Sequence, residues 1–313
     1  MSYKFGTDES VRRAVRRCAH EQLDRAVAEL SERANEDPVG AVHSARKSMK
    51  KQRSLLRLAR GAMPRERRAR ENAVLREVAR GLSGVRDADV MMAWIGDLSE
   101  RYAGQLPATA FATIRAHFEA SRNGDTRSSV IDRHAVRQLR HATDRVDRWE
   151  LRKGGWEALE SGLLRSYKRG RRAFARTHSN GSMEELHAWR KRAKDLWYQE
   201  RLLAPTCGPT VRGHVKELDR LCDLLGDDHD LAVLRQQLTK EGTEIAADLD
   251  AVVKLIDHRR DELQTEASRL GERLYAEKPK AFRRRMRASW QAGRELSRAP
   301  EQQRPADLAA ATR

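Results

Sequence analysis

The sequence predicts an all-α protein built from an internal duplication. Apolar residues recur at spacings of three and four along almost the whole chain, whereas the alternation typical of strands is hard to find. Prolines and capping residues mark several helix starts. Two widely separated segments, 43–50 and 187–194, also share the pattern H-x-x-R-K-x-x-K. A repeat of this kind predicts two similar helical halves.

The helix starts can be placed from local chemistry. Asp37 and Pro38 supply a cap and a first-turn proline, and Pro64 and Pro107 open two further segments. Residues 182–185, Ser-Met-Glu-Glu, form a capping box. The periodic segments predict helices at 8–35, 38–61, 64–82, 86–103, 107–122, 128–150, 156–178, 183–204, 209–225, 229–240, 244–276 and 279–291.

A second pair of similar segments supports the duplication. Aligning Leu82 with Leu225 also pairs Asp87 with Asp230, at nearly the same separation as the two basic motifs. The glycine pair at 154–155 is the predicted join between the halves. The expected organisation is a first helical half at 1–153, a second at 154–291, and a disordered tail at 292–313 that is rich in Arg, Ala, Gln and Pro.

The charge balance favours a polyanionic partner. The 313 residues include 63 Lys and Arg against 46 Asp and Glu, for a formal net charge of +17. Such an excess suits nucleic acid, an inorganic phosphate polymer or an acidic membrane surface.

The three cysteines form no C-x-x-C pair, and no apolar run approaches the ~20 residues of a membrane span. With no apolar signal region at the N-terminus, a cytoplasmic location is expected.

Each basic motif lies beside an apolar seam rather than opposite it. The seams are Val42, Ala45, Met49, Leu56, Ala59 and Met63 in one helix, and Leu186, Trp189, Ala193, Leu196 and Leu203 in the other. Beside each seam runs a stripe whose members mostly come one residue, about 100° of turn, after a seam residue: His43, Arg46, Lys50, Arg53, Arg57 and Arg60, and His187, Arg190, Lys194, Tyr198 and Arg201. Since charges that border a buried seam lie in a groove between helices, we expect both stripes to line one shared groove.

These segments resemble the signature helices of the CHAD domain, the conserved-histidine α-helical domain. The helices read VHSARKSMKKQRSLLRL and LHAWRKRAKDLWYQERL, and the turns downstream read LSGVRDADV and LLGDDHDLAVL. Residues 274–285 are similar to the family's C-terminal segment. The resemblance implies two pseudo-twofold-related helical bundles that bind inorganic polyphosphate and can associate with polyphosphate granules. It maps the family's pattern onto His43, Arg46, Lys47, Lys50 and Arg53, and onto His187, Arg190, Lys191, Lys194 and Tyr198.

Other charged residues are candidates for further phosphate contacts or for orienting the cations. Further phosphate contacts are predicted at Arg16, Arg165, Lys168, Arg172 and Arg283, against the alternative that these side chains only solvate helix faces. A carboxylate facing polyphosphate would repel it. We therefore expect Asp87 and Asp230 to cap a helix or to orient an arginine.

The sequence favours binding without catalysis. It has no G-x-x-x-x-G-K-[ST] loop, no H-E-x-x-H, no G-x-S-x-G, and no E-x-E-x-K strand of the triphosphate-tunnel enzymes. A metal-binding or phosphohydrolase-associated module is a weaker alternative, because the acidic run at 223–230 lacks the calcium-loop spacing. We expect no cofactor and no metal.

Nucleic-acid binding is the main alternative, as RNA or single-stranded DNA also presents a row of phosphates. Single-strand binders usually add aromatic platforms on which bases stack. Aromatic residues make up 5% of this chain, and Trp189 belongs to an apolar seam. An anion without bases therefore fits the composition better.

Overall fold

The computed structural model describes residues 3–82, 87–124, 133–178, 181–241 and 249–298, and within these ranges the protein is helical with no β-sheet. The all-α prediction is confirmed. None of the helices in the described ranges is both long and apolar enough to cross a membrane. The helices are α1 (Val11–Ser31), α2 (Pro38–Leu58), α3 (Arg65–Gly81), α4 (Asp87–Arg101), α5 (Ala108–Gly124), α6 (Arg133–Val146), α7 (Glu157–Thr177), α8 (Met183–Cys207), α9 (Pro209–Glu241), α10 (Leu249–Leu274) and α11 (Pro279–Arg298), with short 3₁₀ turns at Arg33–Asn35 and Ala59–Gly61.

The two motif helices begin where their caps predict. The Asp37 carboxylate accepts a hydrogen bond from the Gly40 amide at 2.8 Å at the start of α2. The Ser182 hydroxyl accepts one from the Glu185 amide at 3.3 Å at the start of α8. Each cap satisfies an amide that has no partner within its own helix.

The apolar seams of α2 and α8 are buried as predicted. Met49, Leu56, Trp189 and Leu196 are each at most 1% exposed. α1 packs on α2 and α6, α8 packs on α7 and α9, and α9 packs on α10. α2 also contacts α7 and α8, so the two motif helices are neighbours.

One predicted interruption is wrong, because α9 runs unbroken from Pro209 to Glu241 through the segment 226–228, Gly-Asp-Asp. Glycine and aspartate disfavour helix interiors in isolation. Here Gly226 lies under the guanidinium of Arg190. A Cβ atom added at this glycine would lie 3.6 Å from a guanidinium nitrogen of Arg190. The Asp228 carboxylate accepts from Arg260 at 3.0 Å and Gln264 at 2.7 Å, both on α10. These contacts stabilise the helix at the residues that predicted its end.

The C-terminal boundary also differs from the prediction. α11 continues to Arg298, so residues 292–298 are helical where a tail was expected, and 299–313 lie outside the described ranges. The boundary between the halves and the duplication itself stay predictions, although Gly155 at the proposed join has a φ of 53°, which favours glycine.

Candidate anion-binding clefts

A basic cleft of about 590 Å³ lies where α2, α3, α8 and α9 meet, and we call it the first cleft. Among its described lining residues, Asp195 is the one carboxylate. An anion that enters this cleft meets positive charge from helices distant in the sequence. Its lining residues are Arg46, Lys50, Arg53, Arg57, Arg76, His187, Arg190, Lys191, Arg192, Lys194, Asp195, Tyr198 and His229.

Polar contacts hold α2 and α8 side by side beneath this cleft. The Ser54 hydroxyl donates to the main-chain oxygen of Asp195 at 2.9 Å. The buried amide of Gln199 donates to the main-chain oxygen of Ser54 at 3.4 Å. These contacts fix the register of the two helices, and with it the placement of the cations that border the seams.

The Asp195 side chain joins the two helices electrostatically. Its carboxylate accepts from Arg57 of α2 at 3.0 Å and from Arg192 of α8 at 3.1 Å. The three side chains are 15–27% exposed. We call this group the Arg57–Asp195–Arg192 bridge. Because it is partly shielded from water, it is a stronger contact than an exposed ion pair.

Other arginines of the first cleft are held by neutral acceptors. Arg46 donates to the Leu82 main-chain oxygen at 3.1 Å, and Arg53 donates to the Asn72 amide oxygen at 3.0 Å. Burial, together with the charge of Arg57, lowers the pKa of Arg53. A shift in this direction means that the charged guanidinium lacks sufficient negative charge nearby, which a bound anion would supply.

Two histidines meet at one side of the first cleft. The rings of His187 and His229 lie 4.4 Å apart between centroids, inclined at 31°. Burial, with the charges of Lys191, His229 and Arg190, lowers the pKa of His187 to about 4. His187 is therefore neutral at physiological pH. It can take part in hydrogen bonds to an anion but brings no charge of its own.

A second basic cleft, of about 860 Å³, lies between α7 and α8. Arg192 lines both clefts, so the two adjoin at the Arg57–Asp195–Arg192 bridge. Burial and the charge of Arg192 lower the pKa of Arg169, and burial and the charge of Arg165 lower that of Arg60. The second cleft is lined by Arg60, Ser161, Leu164, Arg165, Lys168, Arg169, Arg172, Ala173, Arg176, Glu185, Ala188 and Arg192.

Most of the predicted residues lie in these clefts. The first cleft contains Arg46, Lys50, Arg53, Arg57, His187, Arg190, Lys191, Lys194 and Tyr198, and the second contains Arg165, Lys168 and Arg172. Tyr198 is only 3% exposed and packs edge-on against Tyr3 at 6.1 Å. It therefore forms part of the cleft floor rather than a projecting contact.

The remaining predicted residues line neither cleft. His43 is partly buried and Lys47 is exposed, both on α2. The Arg201 guanidinium lies 5.3 Å above the Trp197 ring. Arg16 donates to the Trp149 main-chain oxygen at 2.7 Å, and Arg283 pairs with Glu160 at 3.8 Å.

Of the two predicted orienting carboxylates, Asp230 lies in the interior of α9 and therefore caps no helix, and its role in orienting an arginine stays a prediction. The side chain of Asp87 lies outside the described part of the protein. Asp230 is partly buried on α9. Its charge, together with burial and the charge of Asp223, raises the pKa of the neighbouring Asp227 to about 6. Within the described residues, no group of three His, Cys, Asp or Glu side chains is arranged to hold a metal ion.

Sequence reasoning missed several cleft residues. Arg76 enters the first cleft from α3, and Arg192 lies within the second motif but off its predicted stripe. Arg60 was on the first stripe yet lines the second cleft. The repeated pattern could indicate Arg192, because it lies between two motif positions. No sequence signal separates Arg76 from the other arginines of α3.

The fold and the clefts define an all-helical protein with paired basic helices, and comparison with known proteins identifies its family. The family model of the CHAD domain matches residues 17–239. The chain therefore belongs to the CHAD-domain family, which is associated with polyphosphate binding. No curated protein matches the sequence.

Two solved structures share the fold. PptA from Streptomyces chartreusis matches with a TM-score of 0.57 and 14% identity, covering 84% of this chain and 98% of that one. The CHAD domain from the plant Ricinus communis matches with a TM-score of 0.53 and 16% identity, covering 95% of this chain and 96% of that one. At these identities the similarity establishes the fold alone.

Proposed function

We propose that this protein binds inorganic polyphosphate in the first cleft, without catalysis and without a cofactor or metal. The observation that carries the proposal is that cations of both H-x-x-R-K-x-x-K helices line one cleft. The family's association with polyphosphate supports the choice of ligand. Through this binding the protein would associate with polyphosphate granules in the cytoplasm.

The shape and chemistry of the cleft suit an extended phosphate chain. On α2, the lining residues run from Arg46 to Arg57, about 16 Å along the helix axis. Guanidinium groups form forked hydrogen bonds with phosphate oxygens, and lysines add flexible point charges. Arg46 and Arg53 are already held in place by hydrogen bonds, so part of the cost of ordering them is met before the ligand arrives.

Nucleic acid is the competing ligand, and the aromatic side chains near the cleft do not favour it. Trp197 is 7% exposed and Tyr198 is 3% exposed, and their rings contact each other at 4.6 Å. Bases stack on exposed aromatic faces, which these rings do not offer. A polymer of phosphate alone requires no such platform.

The proposal is tested with a variant in which Arg46, Lys50, Arg190 and Lys194 are all replaced by alanine. If about six to eight phosphates are neutralised, the wild-type affinity should fall with salt at a log–log slope of about −4 to −6, on the rule for single strands. The quadruple variant should lose nearly all binding. Either pair alone, on α2 or on α8, should weaken binding by similar amounts and flatten the slope.

A matched control separates this cleft from overall charge. Arg212, Lys216, Lys240 and Arg269 are exposed and line neither cleft. Replacing these four with alanine removes the same charge and should leave most of the binding. Circular dichroism and thermal melting verify the fold of both variants. Normal binding by the cleft variant, or displacement of long polyphosphate by RNA of equal charge at one salt concentration, would overturn the proposal.

A further inference from the structure

Lys51 of α2 is a nearly buried lysine that the proposed function does not use. It is 8% exposed and lines neither cleft, whereas Lys47 and Lys50 on the same helix are exposed. Its Nζ atom lies over the Tyr3 ring, 5.4 Å from the centroid. Lysine is seldom buried unless a carboxylate pairs with it. Within the described part of the chain, the amine of Lys51 contacts no carboxylate.

The charges that act on Lys51 from the described residues are all positive. They belong to Arg201 of α8, Lys47 of α2 and Arg25 of α1. Lys47 lies one helical turn before Lys51, and both α1 and α8 pack on α2. Burial, together with these three cations, lowers the pKa of Lys51 to about 8. At a pH of about 7.5, roughly a quarter of such an amine is uncharged, about 200 times more than for an ordinary lysine.

An uncharged amine is a nucleophile that can react with carbon dioxide. The lone pair of the Nζ atom attacks the carbon atom and an N–C bond forms. One C–O π bond breaks, and its electron pair moves onto the oxygen. The nitrogen then releases one proton to water. The product is a carbamate, which carries a negative charge where the lysine carried a positive one.

We propose that Lys51 is a site of reversible carbamate formation with carbon dioxide. The small size of this electrophile suits an amine that is only 8% exposed. The cations around Lys51 disfavour its ammonium form and favour an anion in the same place. The carbamate would pair with Arg201 and Arg25, and would thereby join α2 electrostatically to α8 and α1. This inference is independent of the ligand in the first cleft.

The test is chemical trapping in the wild-type protein. The full chain is equilibrated with dissolved carbon dioxide near neutral pH and treated with triethyloxonium, which converts a carbamate into a stable ethyl ester. Digestion with a protease that does not cleave at lysine, followed by mass spectrometry, gives the labelled fraction at each lysine. Lys51 should be labelled at least about tenfold more than the exposed Lys50 and Lys216, because more of its amine is uncharged.

Two variants test the chemistry and the role of the surrounding charge. Lys51→Arg keeps the positive charge but lacks the reactive amine, so the label should disappear from this segment and remain unchanged at other lysines. Arg201→Gln should lower the labelled fraction at Lys51 about fivefold, the factor for one contact between charges in water, because it removes a cation that favours the carbamate. Arg212→Gln, at an exposed arginine of α9, is the matched control and should leave the label unchanged. Circular dichroism verifies the fold of each variant.

The comparison between lysines of the wild-type protein needs no variant, so it holds even if a substitution disturbs folding. Labelling of Lys51 no stronger than that of Lys50 and Lys216 would overturn the inference. Equal labelling of Lys51 in Arg201→Gln and Arg212→Gln would also overturn it, since the neighbouring cation would then not favour the carbamate. None of these measurements includes polyphosphate, and their result is therefore separate from the outcome for the proposed function.

Discussion

At the scale of single residues, Asp195 has a special position because its carboxylate lies where an anionic ligand would bind. It contacts Arg57 and Arg192, the arginines at the junction of the two clefts. Under the proposed function, a phosphate chain in the first cleft would either displace this carboxylate or pass close to it. The residue would therefore hold the two guanidinium groups in place and also compete with the ligand for them.

We expect Asp195→Asn to bind long polyphosphate more tightly. Asparagine keeps the volume of the side chain and removes one negative charge from the path of the ligand. The gain should be about fivefold, the factor for one contact between charges in water, and it should shrink as salt is added. Isothermal titration calorimetry at several salt concentrations measures both effects.

Asp257→Asn is a matched control. Asp257 also forms ion pairs with two arginines, Arg235 at 2.8 Å and Arg260 at 3.8 Å, and it lines neither cleft. Its replacement changes the net charge by the same amount. If the two variants gain affinity equally, or if Asp195→Asn binds more weakly than the wild type, Asp195 does not compete with the ligand.

At the scale of elements, the clefts depend on how closely α7 approaches the end of α2. Gly162 of α7 lies against the main chain of α2, and an added Cβ would overlap the main-chain oxygens of Arg57 and Leu58. This absence of a side chain allows the helices to meet beside the bridge. The sequence shows Gly162 as one glycine among 19, with no local signal of this contact.

Gly162→Ala should lower the free energy of unfolding, although alanine is the better helix former. The clash with a rigid main chain should cost about 1–3 kcal/mol or more. Gly213→Ala is the control, since Gly213 lies within α9 and has no atom within 4 Å of an added Cβ. That change should stabilise the protein by about 0.5–1 kcal/mol. Urea denaturation of both variants measures the difference, and equal stability of Gly162→Ala and the wild type would contradict the close approach.

At the scale of the whole molecule, the first residues of the described chain connect helices that lie far apart in the sequence. The Tyr3 hydroxyl donates to the Lys51 main-chain oxygen of α2 at 2.8 Å, and the Phe5 amide donates to the Leu202 oxygen of α8 at 2.9 Å. Arg294 of α11 donates to the main-chain oxygens of Thr7 and Glu9. The segment thus lies across both motif helices and is held by the last helix.

The protein that lacks residues 292–313 should be less stable than the protein that lacks only 299–313. The longer deletion removes the hydrogen bonds of Arg294 and Ser297 to the N-terminal segment. At about 1 kcal/mol for each net hydrogen bond, the loss should be about 2–3 kcal/mol. Thermal melting measures this, and hydrogen exchange at the Phe5 amide reports the loosening directly. Equal melting temperatures for the two truncated proteins would show that the end of α11 does not hold this segment.

The features that could be predicted from the sequence are those that depend on neighbouring residues. These are the helical class, the caps at Asp37 and Ser182, and the burial of the seams that contain Met49 and Trp189. Each follows from periodicity or from a hydrogen bond within a few residues, because local backbone geometry fixes both. The H-x-x-R-K-x-x-K residues that identify the family can likewise be recognised from the sequence.

Features that require contacts between distant residues are visible only in the folded protein. It pairs Asp195 with Arg57 across α2 and α8, brings Arg76 into the first cleft, and separates Arg165 into a second. It also keeps α9 continuous through Asp228, whose charge is met by Arg260 of α10. A stripe of charge gives the direction of each side chain from its own helix. Which charges share a cleft depends on how the helices pack. That packing is set by close approaches such as the one at Gly162, which can be recognised only when the position of the α2 main chain is known.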